Sequence, residues 1–229
     1  MIQIIPSASR FTFRNAWLEA RWHFSFGHYF DQQNLGFGPL RVFNDDIIQP
    51  KNGFPTHPHD EMEIITYVTD GELTHSDSSG GTGVLRAGDV QRMTAGTGIR
   101  HSEFNKSPNP VRLLQLWIQP ATPGLAPSYE QKPVATTPGK FAVVASGTPG
   151  NNAMLIRQDA TIYVGKFADG QTAEHPLAPG RRAYVFVIDG AATLNGQQLN
   201  RGDQARVTEE TKLTLSAPSS AHIMLIDLP

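Results

Sequence analysis

Cysteine is absent from the 229-residue chain. Disulfides and thiolate metal sites are therefore excluded, and any metal must rest on His, Asp or Glu. An excess of either charge is absent too: 19 basic and 21 acidic residues leave a formal charge of −2, with no basic cluster. The electrostatic footprint of a nucleic-acid or anionic-membrane surface is missing, so no direct nucleic-acid or membrane partner is expected. No apolar run approaches the roughly 18 residues of a membrane helix. The opening MIQIIPSASRFTF has neither a basic n-region nor an apolar stretch ending in small residues. No secretory signal is read there, and a cytoplasmic, monomeric protein is expected. Long amphipathic helical patterns are scarce.

Turn residues take their place. With 21 glycines, 17 prolines and only 17% charged residues, the composition suits many short strands. Ile64–Val68 runs into Thr69-Asp70-Gly71, and Glu72–His75 into the loop DSSGGTG at 77–83. Val84-Leu85 precedes Ala87-Gly88-Asp89, which opens Val90–Thr94, and Leu113–Ile118 stops at Pro120. This is the pattern of antiparallel hairpins in a sandwich or barrel. A weak repeat accompanies it. Tyr67-Val68-Thr69-Asp70-Gly71 resembles Phe186-Val187-Ile188-Asp189-Gly190, and each is followed by a Gly-Asp pair, Gly88-Asp89 and Gly202-Asp203. The reading is an all-β protein of two tandem barrels with few short helices. The boundaries expected are a first barrel at 1–120, a linker or covering segment at 121–138 and a second barrel at 139–229. The linker ATPGLAPSYEQKPVATTP leaves room for a short helix near 127–131, and TPGNNA at 148–153 reads as a turn cluster.

Eight histidines are present, and two lie one residue apart in FPTHPHDEMEI, 54–64. The later IRHSEFN offers His101 and Glu103 at the same spacing. Residues i and i+2 of a strand share a face. His57 with His59, and His101 with Glu103, would therefore converge if both faces look into one barrel. Three imidazoles and a carboxylate suit a first-row divalent ion, and an octahedral ion would keep two open positions for O₂ and a substrate oxygen. Pro58 fits a strand start or edge. Aligning the repeat without gaps places Pro176, Ala178, Leu215 and Ala217 opposite the four residues. One metal is expected, in the N-terminal half, with the C-terminal barrel lacking ligands.

GFPTHPHDEMEIITYVTDG (53–71) and GDVQRMTAGTGIRHSEFN (88–105) resemble the two metal-binding motifs of the pirin family, which are bicupins of the cupin superfamily. WHFSFGHYF (22–30) and LRVFNDD (40–46) are also pirin-like. The resemblance is strong over most of 10–120. It implies Fe(II) on His57, His59, His101 and Glu103, with Mn, Co, Ni, Cu or Zn as substitutes. It also implies quercetin 2,3-dioxygenase activity, in which a flavonol heterocycle is opened with O₂, and Glu103 is then the group placed to take the proton of the 3-hydroxyl. The alternative implied by other members is a non-catalytic iron-binding regulator acting through protein partners. Other cupins perform metal-assisted isomerisation or hydrolysis. The wider cupin pattern would use Glu63 as a ligand; here it is expected behind the ligands. Many pirins read HPHRGFE where this chain has HPHDEME, so Asp60 and Glu61 are expected to make the mouth acidic.

The remaining residues have plainer readings. His75 is expected on a strand surface. His23 and His28 are expected to pack among aromatics, and His175 and His222 have no ligand-type residue at i+2. Phe24, Phe26, Tyr29 and Phe30 are read as packing residues rather than a flavonoid platform. The pairs Gly80/Gly81 and Gly96/Gly98 are turns, since no Lys follows and no helix opens after them.

Overall fold

The computed structural model describes residues 1–150 and 152–229; residue 151, within the turn cluster expected at 148–153, lies outside the described residues. Strand β1 (Ile2–Ile5) opens the chain. There follow β2 (Phe11–Arg14), β3 (Leu18–Trp22), β4 (Leu40–Ile48), β5 (Asn52–His59), β6 (Glu63–Asp70) and β7 (Glu72–Asp77). Next come β8 (Thr82–Arg86), β9 (Asp89–Thr94), β10 (Ile99–Asn105), β11 (Val111–Ile118) and β12 (Ser128–Pro133). The C-terminal half supplies β13 (Phe141–Ser146), β14 (Met154–Leu155), β15 (Thr161–Phe167), β16 (Thr172–Pro176) and β17 (Arg182–Leu194), then β18 (Gln197–Asn200), β19 (Gln204–Val207), β20 (Lys212–Ser216) and β21 (Ala221–Leu228). Among the described residues the helical content is one 3₁₀ turn, Ser7–Ser9. None of the helical segments is long and apolar enough to cross a membrane.

The chain divides into two compact units. One holds 11–134 with 156–158; the other holds 1–10, 135–155 and 159–229. In the first, a seven-stranded sheet runs β12-β9-β6-β11-β4-β3-β2 and a four-stranded sheet runs β5-β10-β7-β8, with every pairing antiparallel. Its apolar core gathers Leu18, Ala20, Trp22, Ile48, Val68 and Leu113. The second unit is built around β1-β19-β17-β21-β15-β13-β14, and its core is mainly aliphatic, including Leu194, Leu199, Leu213, Leu215 and Ala217.

The repeat read from five residues extends to atomic detail. Gly71 and Gly190 both take left-handed φ values, 77° and 74°. A Cβ on either would strike the backbone at the start of the strand alongside, Pro110 O at 2.5 Å or Ser220 O at 1.9 Å. Gly88 N–H donates to Val68 O at 2.8 Å, and Gly202 N–H donates to Val187 O at 2.7 Å. Asp89 and Asp203 each accept the N–H three residues back, from Arg86 and Asn200, at 2.8 Å. These two carboxylates satisfy turn N–H groups that would otherwise lack a partner.

Three expected boundaries change. Residues 1–10 join the second unit, because β1 pairs with β19 from Ile2↔Val207 to Ile5↔Gln204. The segment expected as linker or helix contains β12, which pairs with β9 from Ser128↔Thr94 to Pro133↔Asp89. The stretch 156–158 returns to the first unit. The strands β9 and β19 would each present an open edge, and each is covered by a strand distant in the chain.

Candidate metal centre

Strand β10 carries the centre. It pairs with β5 on one side and β7 on the other, setting His101 opposite both His57 and Asp77. The register on β5 then slips by one, so that Glu103 faces Phe54. The extra residue falls beside Pro55, which has no N–H to give a ladder. The Pro55 carbonyl instead accepts from His57 Nδ1 at 2.8 Å. A carbonyl can only accept, so Nδ1 carries a proton and Nε2 is the His57 nitrogen left to meet an ion.

The ligand atoms of His57, His59 and His101 lie within 4.8 Å of one another. His57 Nε2 and His101 Nε2 are 3.0 Å apart. Two nitrogens bound cis at about 2.1 Å to one ion are about 3.0 Å apart. Burial, followed by the neighbouring imidazoles, lowers His59 to about 4 and His101 to about 3. Both rings are therefore neutral near pH 7, as ligation requires. The donor set and its protonation state fit a divalent first-row ion. Glu103 meets this group through His101, in a second set with His75 whose ligand atoms also lie within 4.8 Å.

Glu103 is fully enclosed and held by three donors. Gln91 Nε2 donates to Oε1 at 2.7 Å, Thr66 Oγ1 to the same oxygen at 3.3 Å, and Gln115 Nε2 to Oε2 at 2.7 Å. Trp117 Nε1 in turn donates to Gln115 Oε1 at 3.2 Å. These donors come from one row across the large sheet. Asn44 pairs with Gln115, Gln115 with Thr66, Thr66 with Gln91, and Gln91 with Gln131. The row was missed from the sequence, since its members lie on five separate strands and only cross-strand register aligns them. Thr66, Gln91 and Gln115 at inward parity were the signal available.

His75 corrects an expectation. It is buried, its Nε2 lies 2.8 Å from Asp77 Oδ2, and its ring stacks on Tyr129 at 4.4 Å. Strands β8 and β10 flank β7, and Tyr129 covers the His75 ring, so this strand has no free surface here. The His75–Asp77 pair at i, i+2 was the overlooked signal. Glu63 is buried as well. It does not line the cavity beside the histidines; its Oε2 accepts from Thr94 Oγ1 at 3.0 Å. Glu61, at φ 44°, turns the chain between His59 and Glu63, before β6 begins. Asp60 and Glu61 leave the cavity wall as well. Asp60 borders a separate recess with Arg100, and Glu61 accepts the Gly124 N–H at 3.0 Å. His23 stacks on Phe43 and His28 packs on Phe11, Phe13 and Trp22. His175 pairs with Asp227 at 2.8 Å.

A cavity of about 360 Å³ opens on the centre. His57, His59, Glu103, Gln115, Asn44 and Asp46 form its polar wall; Trp22, Phe26, Phe54 and Trp117 form its aromatic ones. Phe26 therefore faces this space, while Phe24 is buried and Phe30 is exposed.

Comparison with known proteins finds relatives over nearly the whole chain. A family model described as Pirin matches residues 6–118, and one described as Quercetinase C-terminal cupin domain matches 143–228. The chain is 44% identical to a pirin-like protein of Caulobacter vibrioides, covering 93% of each. It is 38% identical to quercetin 2,3-dioxygenase of Escherichia coli, covering 100% of this chain and 99% of that one. The crystal structure of the bacterial pirin YhhW of Escherichia coli in complex with nickel(II) superposes with a TM-score of 0.96 at 36% identity, covering 100% of this chain and 99% of that one.

Proposed function

This chain belongs to the pirin family, and from that premise we propose that it is a metal-dependent dioxygenase that opens quercetin-like flavonols with O₂. The observation that carries the reading is the aromatic-walled cavity of about 360 Å³ ending on His57, His59 and Glu103. It falls in the range of ligand sites, about 300–1,000 Å³. Such access favours an enzyme over a regulator, which needs no room for substrate.

His57, His59, His101 and Glu103 would hold one divalent ion, Fe(II) foremost. Bound there, the ion supplies Lewis acidity and one-electron redox chemistry. The protein's own part is positioning. Trp22, Phe26, Phe54 and Trp117 give flat apolar walls that orient a planar ring system and exclude water. Glu103 accepts the proton of the substrate 3-hydroxyl. Gln91, Thr66 and Gln115 keep its carboxylate aimed while it does so.

Oxygen uptake by ferrous-reconstituted protein, with and without quercetin, tests this. Uptake should require quercetin, metal and His101, and His101→Ala should lose metal and turnover together. No uptake from protein holding one metal per chain would overturn the dioxygenase reading.

A further inference from the structure

Two neighbouring aspartates on β4 have opposite fates. Asp45 points to the outer face of the sheet, where Arg112 binds both its oxygens at 2.8 and 2.9 Å. Asp46 points inward to the cavity, and its Oδ1 has no hydrogen-bond partner although the residue is 3% exposed. Asn44, two residues earlier on the same face, repeats this: it lines the cavity, is 2% exposed, and leaves its Oδ1 unpartnered. A buried polar atom without a partner is costly, so each such atom calls for an explanation. Here both residues border one cavity, on one strand, beside the proposed centre.

We propose that Asn44 and Asp46 recognise hydroxyl groups of the bound substrate, making this site selective for uncharged, polyhydroxylated aromatic rings. The proposal rests on the flavonol reading above and names which substrate atoms β4 receives. The Asn44 oxygen is an acceptor only, so the group opposite it must be a donor. Burial, with Asp45 and Glu103 nearby, raises Asp46 well above the usual carboxylate range. A neutral carboxyl still offers an acceptor oxygen to a hydroxyl and adds one donor. The cavity wall holds two carboxyl groups and neither lysine nor arginine. A sulfated or carboxylated ring would bring uncompensated charge to it.

Binding, measured apart from turnover, tests this. Trp22 and Trp117 stand in the wall, so ligand binding should quench tryptophan fluorescence. The probes are quercetin and 3-hydroxyflavone, which keeps the reacting hydroxyl and lacks the others. Wild-type protein, loaded with metal under anaerobic conditions, should bind quercetin at least about tenfold more tightly, one unsatisfied group being worth about that factor. Asn44→Leu and Asp46→Leu should each bring the ratio toward one without weakening 3-hydroxyflavone. Equal affinity of the wild type for the two ligands overturns the proposal, whether or not the variants fold. So does an unchanged ratio in folded variants. If the ratio behaves as expected and no oxygen is consumed, the dioxygenase reading falls and the recognition site stands.

Discussion

Two enclosed glutamates in the first unit show how company decides the behaviour of a carboxyl group. Glu103 accepts from Gln91, Thr66 and Gln115. Glu63 has the Thr94 hydroxyl and a backbone hydrogen bond from Arg157, and no side-chain amide. Burial raises Glu63 to about 7 against the pull of Thr94, Arg92 and Arg157. The sign follows from proton counting. Between pH 4.5 and 7 the folded protein keeps a proton that the unfolded chain releases, so this carboxyl's contribution is full below 4.5 and is lost as pH rises through 7. Glutamine cannot ionise. The stability difference of Glu63→Gln relative to wild type should thus be more favourable at pH 8 than at pH 4.5, by no more than about 3 kcal/mol. His59 and His101, with lowered values, lose stability as pH falls below 6.5, but do so in both proteins and cancel in the difference. Urea denaturation at the two pH values checks it; a variant less stable at pH 8 would mean that Arg92 and Arg157 hold Glu63 ionised. The convergence of His57, His59 and His101 was legible because i, i+2 parity survives within a strand. The place of Glu63 was not, since one left-handed residue, Glu61, turns the chain between His59 and Glu63.

At the scale of elements, the centre depends on how closely β5 approaches β10. Gly53 makes that approach possible: a Cβ there would lie 2.2 Å from Glu103 O and 2.6 Å from Phe104 Cα. Both obstacles are backbone and cannot rotate away. Gly53→Ala should push β5 outward where it carries His57, at a cost of about 1–3 kcal/mol, and metal retention should fall with it. Metal content after dialysis and urea midpoints measure the two effects. A variant that keeps wild-type stability and metal would show that the strands part without disturbing the histidines. Such contacts are illegible in sequence, as is the polar row Asn44-Gln115-Thr66-Gln91-Gln131, because both are products of cross-strand register. The hairpins were legible for the opposite reason. Their turns are local, and Asp-Gly and Gly-Asp pairs mark them.

At the scale of the whole chain, one barrel plan is used twice with different interiors. The turn glycines and turn aspartates recur in both copies, whereas the positions facing inward are polar around Glu103 in one and mainly aliphatic in the other. The sequence repeat exposed the shared frame, since turn chemistry tolerates little change. It could not show that residues 1–10 belong with the second copy, because strand β1 meets β19 across about 200 residues of chain. That placement predicts what truncation does. Removing 1–10 takes away the β1 ladder, the packing of Ile2 and Ile4, the Ser7 N–H bond to Asp203 and the Arg10 bond to the Gly202 carbonyl. Strand β19 is then left with an open edge, a template for association. The truncated protein should melt earlier and self-associate, and proteolysis should cut first within 135–229. His57, His59 and His101 lie in the other unit, so the truncated chain should load metal as the full-length one does. Mass analysis of the fragments and metal content distinguish the outcomes. First cuts within 11–134, or metal lost while the C-terminal fragment stays resistant, would refute the assignment of this strand.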